Sequence, residues 1–506
     1  MRRLVAAAVS ALALAGPVMA QDAPRADASA ARAGADRPIP PPVVSVTQHS
    51  GVFGGQRIAY RAIAGETYLK DKDGQPLAAI TSYSYIKEGP VDPNRPVTFL
   101  WNGGPGSGSL WLHMGAFGPK RVVVPSDAKD DGAAPYPIID NVDSLLDVTD
   151  IVFIDPVGTG YSRALGKKDP ADYWGVTKDA KSMAEFIRLW LNEHGRWNAP
   201  KFIGGESYGT TRSAAVINEL EGTYTDVAIN GILLISSILD FSLAADSQGN
   251  ELGYVTNLPS MAATAWYHDK VPNKPATVEE FVAEARAWAI GPYATALLKG
   301  NDLTADERAT ILQQLSRYTG VSQTYLSNAN LRLSPSRFYK ELLRDRGLTI
   351  GRLDTRYTGV DYDNAGESPD NDPSFYGIDG AYTAAMNAWS REGLKYSPDV
   401  VYSSIGGTRE WDWNIGGPRG GSSYLNVAPY IGRALRENSG LRVWVGQGYY
   451  DFATPFFGAE YSLNRPGFPT DGRIQWHYYH AGHMMYVRDE DLRKLSNDLR
   501  TFIRAR

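Results

Sequence analysis

The chain has 506 residues, of which 43% are hydrophobic and 21% are charged, and its net charge is −5. This length allows a large buried core, while the scattered lysines and arginines exclude the concentrated basic patch of a nucleic-acid-binding protein. The sequence has no cysteine, which excludes disulfides, thiolate metal ligands and a cysteine nucleophile.

Residues 1–20 have the pattern of a secretory signal peptide. Arg2 and Arg3 precede an apolar run at 4–15, which is too short to span a bilayer, and small side chains favour cleavage after Ala20. A buried N-terminal helix is the alternative. The pattern predicts an exported protein, either periplasmic or secreted. No later stretch is long and apolar enough to predict a membrane span.

The segment after the signal peptide changes from a linker to strands. Residues 21–42 are rich in alanine, aspartate, arginine and proline, which predicts a disordered linker. Strand patterns then occur at 43–47, 56–62, 67–70, 78–85 and 97–101. Asp73-Gly74 predicts a hairpin turn between the third and the fourth of these strands.

Buried strands and helices alternate along much of the remaining chain. Strand patterns occur at 150–154, 202–203, 227–236, 441–445 and 474–479, and helical patterns at 178–193, 213–220 and 489–504. This alternation predicts an α/β fold with a mainly parallel sheet and helices on both faces. The sheet core is expected to consist of 43–241 and 401–506.

Residues 242–400 have a different pattern. Helical periodicity occurs at 278–289, 304–318 and 336–346, and a polar segment at 361–379 predicts a long loop. No alternation of strands and helices occurs here. We therefore expect a mostly helical cap, inserted between the two parts of the sheet core.

Residues 205–209 have the pattern Gly-x-Ser-x-Gly and join an apolar run to a helical segment. A serine at a tight turn between strand and helix describes a nucleophile elbow, which exposes the Ser207 hydroxyl at the end of the sheet. The flanking glycines allow neighbouring segments to approach where a Cβ atom would clash. A simple glycine-rich turn is the alternative.

A nucleophilic serine needs a base and an acid that orients the base. In this architecture both follow the serine, on loops after later strands. Asp451 and His483 satisfy that order, although an aspartate can also cap a helix. A metal site formed by His477, His480 and His483 is an alternative, but positions 477 and 480 face opposite sides of a strand. The sequence therefore favours Ser207, Asp451 and His483 as a catalytic triad, without a metal.

The loop at 102–106 predicts one half of an oxyanion hole. Its glycines follow an early strand and permit close approach of backbone N–H groups to a developing oxyanion. Gly104 is the favoured donor, with Gly103 as alternative, and the second donor is the N–H of Tyr208. A phosphate cradle is less consistent with the sequence, because the lysine and hydroxyl of a P-loop are absent. We therefore predict no cofactor.

Several motifs occur in an order that resembles the serine carboxypeptidase family, peptidases of the α/β-hydrolase fold. The motifs are Asn-Gly-Gly-Pro-Gly at 102–106, Phe-Gly-Pro at 117–119, Asp-Pro-Val-Gly-Thr-Gly-Tyr-Ser at 155–162, Gly-Glu-Ser-Tyr-Gly at 205–209, the loop of Asp451 and Gly-His-Met at 482–484. The resemblance implies the same triad and oxyanion hole. It also implies that Asn102 and Glu206 bind the C-terminal carboxylate of a peptide.

The sequence departs from the family in the carboxylate-binding set. Ala116 stands where the family usually has a second glutamate, which would share a proton with Glu206. Leu100 stands where a tryptophan is usual, and Ser107 stands where a cysteine often follows. Whether His113 lies near the position of the missing glutamate is left open.

The resemblance implies a carboxypeptidase that acts on peptides with a free C-terminus through an acyl-enzyme. A carboxylate beside Glu206 requires that Glu206 be protonated, so we expect the greatest activity at acidic pH. A serine esterase or acyltransferase is the alternative, and a catalytically inactive binding protein is a third. Side-chain preference and oligomeric state are not predicted. The aromatic residues Trp411, Trp413, Tyr449 and Tyr450 are candidates for a pocket lining or for plain core.

Overall fold

A sheet of ten strands organises the computed structural model of the chain. The structure describes residues 39–90, 92–222, 224–243, 248–406, 410–415 and 424–505. The predicted signal peptide at 1–20 and most of the predicted linker at 21–42 therefore lie outside the described residues.

The strands of the described residues begin and end as follows: β1 Val44–Phe53, β2 Gln56–Lys70, β3 Pro76–Lys87, β4 Val97–Trp101, β5 Lys120–Val122, β6 Ile138–Asp140, β7 Asp150–Ile154, β8 Arg163–Ala164, β9 Lys201–Ser207, β10 Gly231–Ser237, β11 Thr349–Ile350, β12 Thr358–Gly359, β13 Arg442–Gly448 and β14 Ile474–Tyr479. The pairs β5-β6 and β11-β12 form two small separate sheets.

The large sheet is antiparallel at its first edge and parallel beyond it. Its order is β1-β2-β3-β7-β4-β9-β10-β13-β14, with β8 paired to β3. Strands β1, β2, β3 and β7 pair antiparallel, and all later pairs are parallel. At the centre, Val97 of β4 pairs with Asp150 of β7 on one side and Lys201 of β9 on the other. Every residue of β4, β7 and β10 is buried, as expected where helices cover both faces.

The α-helices of the described residues are α1 Val176–Glu193, α2 Tyr208–Leu220, α3 Glu251–Tyr267, α4 Val278–Trp288, α5 Ala294–Lys299, α6 Ala305–Thr319, α7 Gln323–Asn328, α8 Pro335–Glu341, α9 Pro373–Tyr376, α10 Asp379–Ala388, α11 Ala428–Glu437, α12 Phe456–Leu463 and α13 Asp489–Arg504. Three π-helical turns occur among them, at Leu112–Phe117, Ala289–Tyr293 and Trp389–Gly393.

The core contains three clusters of buried apolar side chains. One cluster joins the sheet to α1, α2 and α11, and a second joins it to α13 and the turn Leu112–Phe117. The third cluster is formed largely by the helices α3 to α8, together with side chains around Tyr449 and Phe456. The expected layers of an α/β protein are therefore present, with helices on both faces of the sheet.

Several predicted boundaries differ from the structure. The predicted strands at 56–62 and 67–70 are one strand, β2, because pairing with β3 continues through the intervening residues. The helix predicted at 213–220 begins at Tyr208, directly after the serine turn. The strand predicted at 227–236 begins only at Gly231.

The segment 242–400 holds elements that local patterns did not predict. Helix α3 contains Pro259 and has apolar residues around most of its circumference, so it lacks a helical stripe. The short hairpin β11-β12 and the helix α9 lie in or beside the predicted polar loop at 361–379. We retain the division into a sheet core at 43–241 and 401–506 and a cap at 242–400 as a proposal.

Candidate active site

Four segments singled out in the sequence follow parallel strands of the large sheet. The glycine loop at 102–106 follows β4, Ser207 ends β9, Asp451 follows β13 and His483 follows β14. These strands are parallel and lie in the order β4-β9-β10-β13-β14, so their carboxyl ends meet at one edge. Ligand sites of open α/β sheets lie at this edge.

The turn at Ser207 has a strained backbone. Its φ is 62° and its ψ is −132°, in a region that residues other than glycine rarely adopt. Strand β9 ends at this residue and α2 begins at Tyr208. A Cβ atom at Gly205 would lie 2.3 Å from the carbonyl oxygen of Gly209, so the turn closes only without a side chain there. This geometry matches the nucleophile elbow that the sequence predicts.

The glycine loop packs directly against this turn. Trp101 Nε1 donates to the carbonyl oxygen of Gly209 at 2.8 Å. A Cβ atom at Gly103 would lie 2.6 Å from the backbone nitrogen of Tyr208, and Gly104 has a φ of 103°. The backbone of the loop and the N–H of Tyr208 are therefore neighbours, as an oxyanion hole requires. The choice of Gly104 as the second donor stays a prediction.

Asp451 and His483 form a buried hydrogen-bonded pair. His483 Nδ1 lies 2.8 Å from Asp451 Oδ2. Asp451 Oδ1 accepts hydrogen bonds from the backbone N–H groups of Ala453 and Thr454, at 2.8 and 3.0 Å. The Thr454 hydroxyl donates to Asp451 Oδ2 at 2.7 Å. Because the carboxylate occupies Nδ1, the ring leaves Nε2 free to act on another group. No local sequence pattern distinguishes Thr454.

Two opposing effects set the pKa of the His483 imidazole. Burial on its own lowers the pKa of His483, because the charged form loses its hydration. The negative charge of Asp451 and its hydrogen bond act in the other direction and outweigh burial, so the pKa of His483 stands above its ordinary value. A base whose protonated form is stabilised in this way is suited to take a proton during a reaction.

Ser207 and His483 line a single cleft, whose empty volume is about 940 Å³. Asn102, Gly104 and Glu206 line the same cleft. The remaining lining residues are Gly103, Ser107, Trp111, Arg352, Leu353, Asp372, Phe375, Ile405, Ala453 and Met484. The fold thus gathers the predicted nucleophile, base and carboxylate-binding residues around one space.

Glu206 and Asn102 are almost completely buried at this cleft, with 4% and 1% of their surfaces exposed. Burial raises the pKa of Glu206 to about 7, although the positive charge of His483 and the nearby Tyr486 and Asn102 side chains act to lower it. Neither Glu206 Oε2 nor Asn102 Nδ2 makes a hydrogen bond of normal geometry with the described residues. Both residues line the cleft, and Glu206 is able to carry a proton near neutral pH.

The loop that carries His483 is held by the segment after β11. The backbone N–H of His483 donates to the carbonyl oxygen of Leu353 at 2.6 Å, and that of Gly482 donates to Asp354 Oδ2 at 3.1 Å. A Cβ atom at Gly482 would lie 2.4 Å from the Cβ atom of Asp354. Only a glycine permits this approach, so the position of His483 depends on a segment of the predicted cap.

A buried ion pair between Arg212 and Asp179 packs against the glycine loop and binds its backbone. Arg212 of α2 donates from Nε to Asp179 Oδ2 of α1 at 2.6 Å and from Nη1 to the carbonyl oxygen of Asn102 at 2.5 Å. Burial raises the pKa of Asp179, and the charge of Arg212 opposes that shift. This ion pair was not predicted from the sequence. A charged residue on an otherwise apolar helix face is the signal that could have found it.

Replacing Arg212 with methionine is expected to lower the free energy of unfolding by about 3–5 kcal/mol, because Asp179 would stay buried without a counter-charge. Denaturant unfolding followed by tryptophan fluorescence measures the change. The double variant Asp179→Asn Arg212→Met is the control and should regain part of the loss, because it leaves no unpaired charge. A single variant as stable as the unaltered protein would mean that the pair contributes little.

His113 belongs to the core and does not line the cleft. Its Nε2 lies 2.6 Å from the hydroxyl of Tyr85, and its ring stacks on Phe153 with 4.4 Å between centroids. Burial lowers the pKa of His113 to about 3, so the ring is neutral. It shares the π-helical turn Leu112–Phe117 with Ala116 but does not supply the acid that Ala116 replaces.

The other histidines near His483 have separate partners. His477 Nδ1 lies 3.2 Å from Asp498, and His480 Nε2 lies 2.9 Å from Glu279. Within the described ranges, no group of three histidine, aspartate or glutamate side chains is arranged to hold a metal ion.

The four aromatic residues considered as pocket lining are not among the residues that line this cleft. Trp411 and Trp413 pack edge-on against Tyr208, at 5.4 and 5.9 Å between ring centroids. Tyr449 and Tyr450 are buried in the cluster formed largely by α3 to α8.

Comparison of the sequence with known proteins gives partial matches to serine carboxypeptidases. A family model described as serine carboxypeptidase matches residues 82–285. Serine carboxypeptidase-like 16 of Arabidopsis thaliana is 27% identical over 173 residues, which cover 33% of this chain and 38% of that protein. Serine carboxypeptidase-like 4 of the same plant is 30% identical over 143 residues, covering 27% of this chain and 30% of that protein. The matches thus span about a third of the length of these curated relatives.

A solved structure supports the fold. KEX1(delta)p, a prohormone-processing carboxypeptidase from Saccharomyces cerevisiae, superposes with a TM-score of 0.52. The sequence identity is 15%, and the match covers 88% of this chain and 91% of that chain. The mainly parallel sheet with helices on both faces is the α/β-hydrolase fold, which confirms the fold expected from the sequence. Over part of its length the chain is therefore similar to serine carboxypeptidases, and its fold is that of an α/β-hydrolase.

Proposed function

We propose that the protein is an exported serine carboxypeptidase, which removes C-terminal residues from peptides through an acyl-enzyme. One observation carries the proposal: the cleft that contains Ser207 and His483 also contains two buried carboxylate-binding candidates, Glu206 and Asn102. A nucleophile alone would suit many hydrolases. A protonatable carboxyl directly before the nucleophile selects substrates that end in a carboxylate.

The proposed reaction begins at Ser207. Its Oγ attacks the carbonyl carbon of the last peptide bond while His483 Nε2 takes the hydroxyl proton. Asp451 keeps the imidazole oriented and stabilises its positive charge. The N–H groups of Gly104 and Tyr208 donate to the oxyanion. His483 then gives the proton to the leaving amine as the C–N bond breaks, and a water molecule hydrolyses the acyl-enzyme by the same sequence of steps.

Glu206 and Asn102 are proposed to bind the C-terminal carboxylate of the substrate. A carboxylate beside an ionised Glu206 would be a pair of like charges in a buried site, which is strongly unfavourable. With its pKa at about 7, Glu206 is able to keep its proton and donate a hydrogen bond instead. Asn102 Nδ2 is a second donor, and the charge of the substrate is then satisfied without a cation.

The pH dependence of KM tests this role of Glu206. With a pKa of about 7, Glu206 is mostly protonated at pH 6 and mostly ionised at pH 8. The KM for a peptide with a free C-terminus is therefore expected to be about tenfold lower at pH 6 than at pH 8. The same peptide with a C-terminal amide should lack this change. Equal pH dependence of both substrates would remove Glu206 from carboxylate binding.

The reaction class is best tested by digestion of a peptide library, followed by mass spectrometry. Carboxypeptidase activity predicts products shortened by single residues from the C-terminus. Internal cleavage would contradict the proposal. The digest also reports which C-terminal side chains are preferred.

A serine esterase or acyltransferase on the same scaffold is the second candidate. The observation that favours it is Ala116, which leaves the carboxylate-binding set without the second glutamate that is usual in the family. Comparing a blocked peptide acid, its amide and a small ester separates these activities. A preference for the ester over the peptide acid would favour this candidate. Labelling of Ser207 by a fluorophosphonate would exclude the third hypothesis, an inactive binding protein.

We also propose export to the periplasm or the medium, with cleavage of the signal peptide near Ala20. In the part of the chain that the structure describes, no helix combines the length and apolarity needed to cross a membrane. Fractionation of the producing cells, with N-terminal sequencing of the mature protein, tests this localisation. A mature protein that retains residues 1–20 inside the cell would contradict it.

A further inference from the structure

Three buried polar atoms lack hydrogen bonds of normal geometry near the base of the active-site cleft. They are Glu206 Oε2, Asn102 Nδ2 and Tyr486 Oη. Each side chain has at most 4% of its surface exposed. Buried polar groups in proteins are nearly always paired, since leaving one unpaired costs about 1–3 kcal/mol. Asn102 Nδ2 and Tyr486 Oη lie close enough to the Glu206 carboxyl to act on its ionisation, so the three side chains form one buried polar cluster, two members of which line the cleft.

Tyr486 reaches this place from the loop that carries His483. It lies in the short helical turn Met485–Val487, directly after the Gly-His-Met motif. Its hydroxyl is close enough to the Glu206 carboxyl to influence its ionisation. Nothing in the local sequence pattern distinguishes this tyrosine from a core aromatic residue, so it was not predicted from the sequence.

The ring of Tyr486 packs on the turn that carries Ala116. A Cβ atom at Gly115 would lie 2.6 Å from Cε2 of Tyr486 and 2.8 Å from the hydroxyl of Tyr382. Gly115 and Ala116 are adjacent in the π-helical turn Leu112–Phe117, and both are buried. The phenol of Tyr486 therefore stands beside the turn from which the family's second glutamate would extend.

We propose that Tyr486 is a specificity-determining residue, whose hydroxyl donates a hydrogen bond to the C-terminal carboxylate of the substrate. Tyr486 replaces the glutamate that is absent at position 116 as a hydrogen-bond donor. Tyr486, Asn102 and protonated Glu206 together then provide three donors to the substrate carboxylate. This inference rests on the proposed carboxypeptidase function. It accounts for the unpaired atoms, because one substrate carboxylate has enough lone pairs for all three donors.

A phenol differs from a carboxylic acid in its ionisation. Burial, together with the negative charge of Glu206, raises the pKa of Tyr486 well above its ordinary value, so the hydroxyl stays a donor. Besides Tyr486, the titratable groups that act on Glu206 are His483 and Asp451, while the charge of Glu206 acts on Tyr382. Among the three proposed donors, Glu206 is the one whose pKa of about 7 lets it lose its proton near neutral pH and so weaken the carboxylate site. A pair of acids would instead lose binding in two coupled ionisations.

The decisive variant is Tyr486→Phe, with Tyr382→Phe as its matched control on the neighbouring ring. Kinetics at pH 6 are measured with an N-blocked dipeptide acid, its C-terminal amide and a small ester. For Tyr486→Phe we expect KM for the acid to rise about tenfold or more, as for loss of a hydrogen bond to a charged group. The kcat for the acid and the kcat/KM for the ester should change less than about threefold.

The control distinguishes the role of Tyr486 from general damage to the cleft. Tyr382→Phe should leave the ratio of acid to ester activity unchanged. Equal losses on all substrates in Tyr486→Phe would assign the tyrosine a structural role and overturn the inference. An unchanged KM for the acid, or an equal rise in Tyr382→Phe, would also overturn it. A wild-type protein that hydrolyses the ester but neither peptide would instead refute the proposed function, and this inference with it.

A second measurement uses the unaltered protein and does not depend on folding of the variant. Above pH 7, log KM for the dipeptide acid should rise with a slope of about one, because a single proton is lost from the carboxylate site. The amide is the control substrate. A slope that approaches two for the acid would indicate a pair of acids and contradict the role given to Tyr486.

Discussion

Ser207→Ala is expected to lower kcat for peptide hydrolysis by about a million-fold, as in other serine hydrolases that lose their nucleophile. The strained backbone at Ser207 presents its hydroxyl to the cleft that it shares with His483. Alanine keeps the small volume at this position and removes only the oxygen that would form the acyl-enzyme. Initial rates with a dipeptide acid, together with fluorophosphonate labelling, measure the loss.

A control serine in the same cleft makes this result specific. Ser107 also lines the cleft, and Ser107→Ala should retain activity within about threefold, because no step of the proposed reaction uses its hydroxyl. Thermal unfolding of both variants should match that of the unaltered protein. Substantial peptidase activity in a pure, folded Ser207→Ala protein would end the acyl-enzyme proposal.

Asp451→Asn is expected to lower kcat by about ten-thousand-fold, while the fold is preserved. Asp451 Oδ2 accepts a hydrogen bond from His483 Nδ1–H at 2.8 Å, and Asp451 has no exposed surface. An asparagine amide can present its N–H₂ group to the imidazole and favour the wrong tautomer, which leaves no base for Ser207. It also lacks the charge that stabilises the protonated ring. Steady-state kinetics at the pH optimum measure the effect.

Thr454→Val is the graded control for Asp451→Asn. The Thr454 hydroxyl lies 2.7 Å from Asp451 Oδ2 and 2.9 Å from the carbonyl oxygen of Ser236, and its single proton is within reach of either acceptor. Thr454 therefore positions the acid and has no contact with the substrate in the proposed reaction. Loss of the Thr454 hydroxyl should lower kcat about tenfold, which is a far smaller decrease than the one expected for Asp451→Asn. If Asp451→Asn cost no more than Thr454→Val, then orientation of His483 by Asp451 would not be essential.

Local residue patterns were sufficient to predict the bounds of those strands and helices whose structure depends mainly on residues close in sequence. The strands Val97–Trp101, Asp150–Ile154 and Ile474–Tyr479 and the helix Asp489–Arg504 have the bounds that their residue patterns predict. Their periodicity is strong, and their ends are marked by glycine, proline or polar residues. Helix α3 was missed because its interior proline and nearly continuous apolar surface obscure the helical period.

Ser207, Asp451 and His483 could be proposed as a triad from the sequence because a parallel sheet gathers the carboxyl ends of its strands. Positions at the ends of β9, β13 and β14 then become neighbours without any knowledge of side-chain packing. The spacing of the glycines also predicted the nucleophile elbow and the glycine loop at 102–106 that adjoins it. The same reasoning extends to Gly482, although the carbonyl and aspartate that make a glycine necessary there are visible only in the structure.

Sequence by itself determined the fold class and the strand ends at which the candidate catalytic residues lie. Tertiary structure alone decided which buried groups face one another: Arg212 with Asp179, His483 with Leu353, and Tyr486 with Glu206. These partners lie on different elements and are far apart in the chain. Their pairing depends on burial and on the desolvation of charge, which depend on the packed fold and leave no local periodicity for a sequence pattern to reveal.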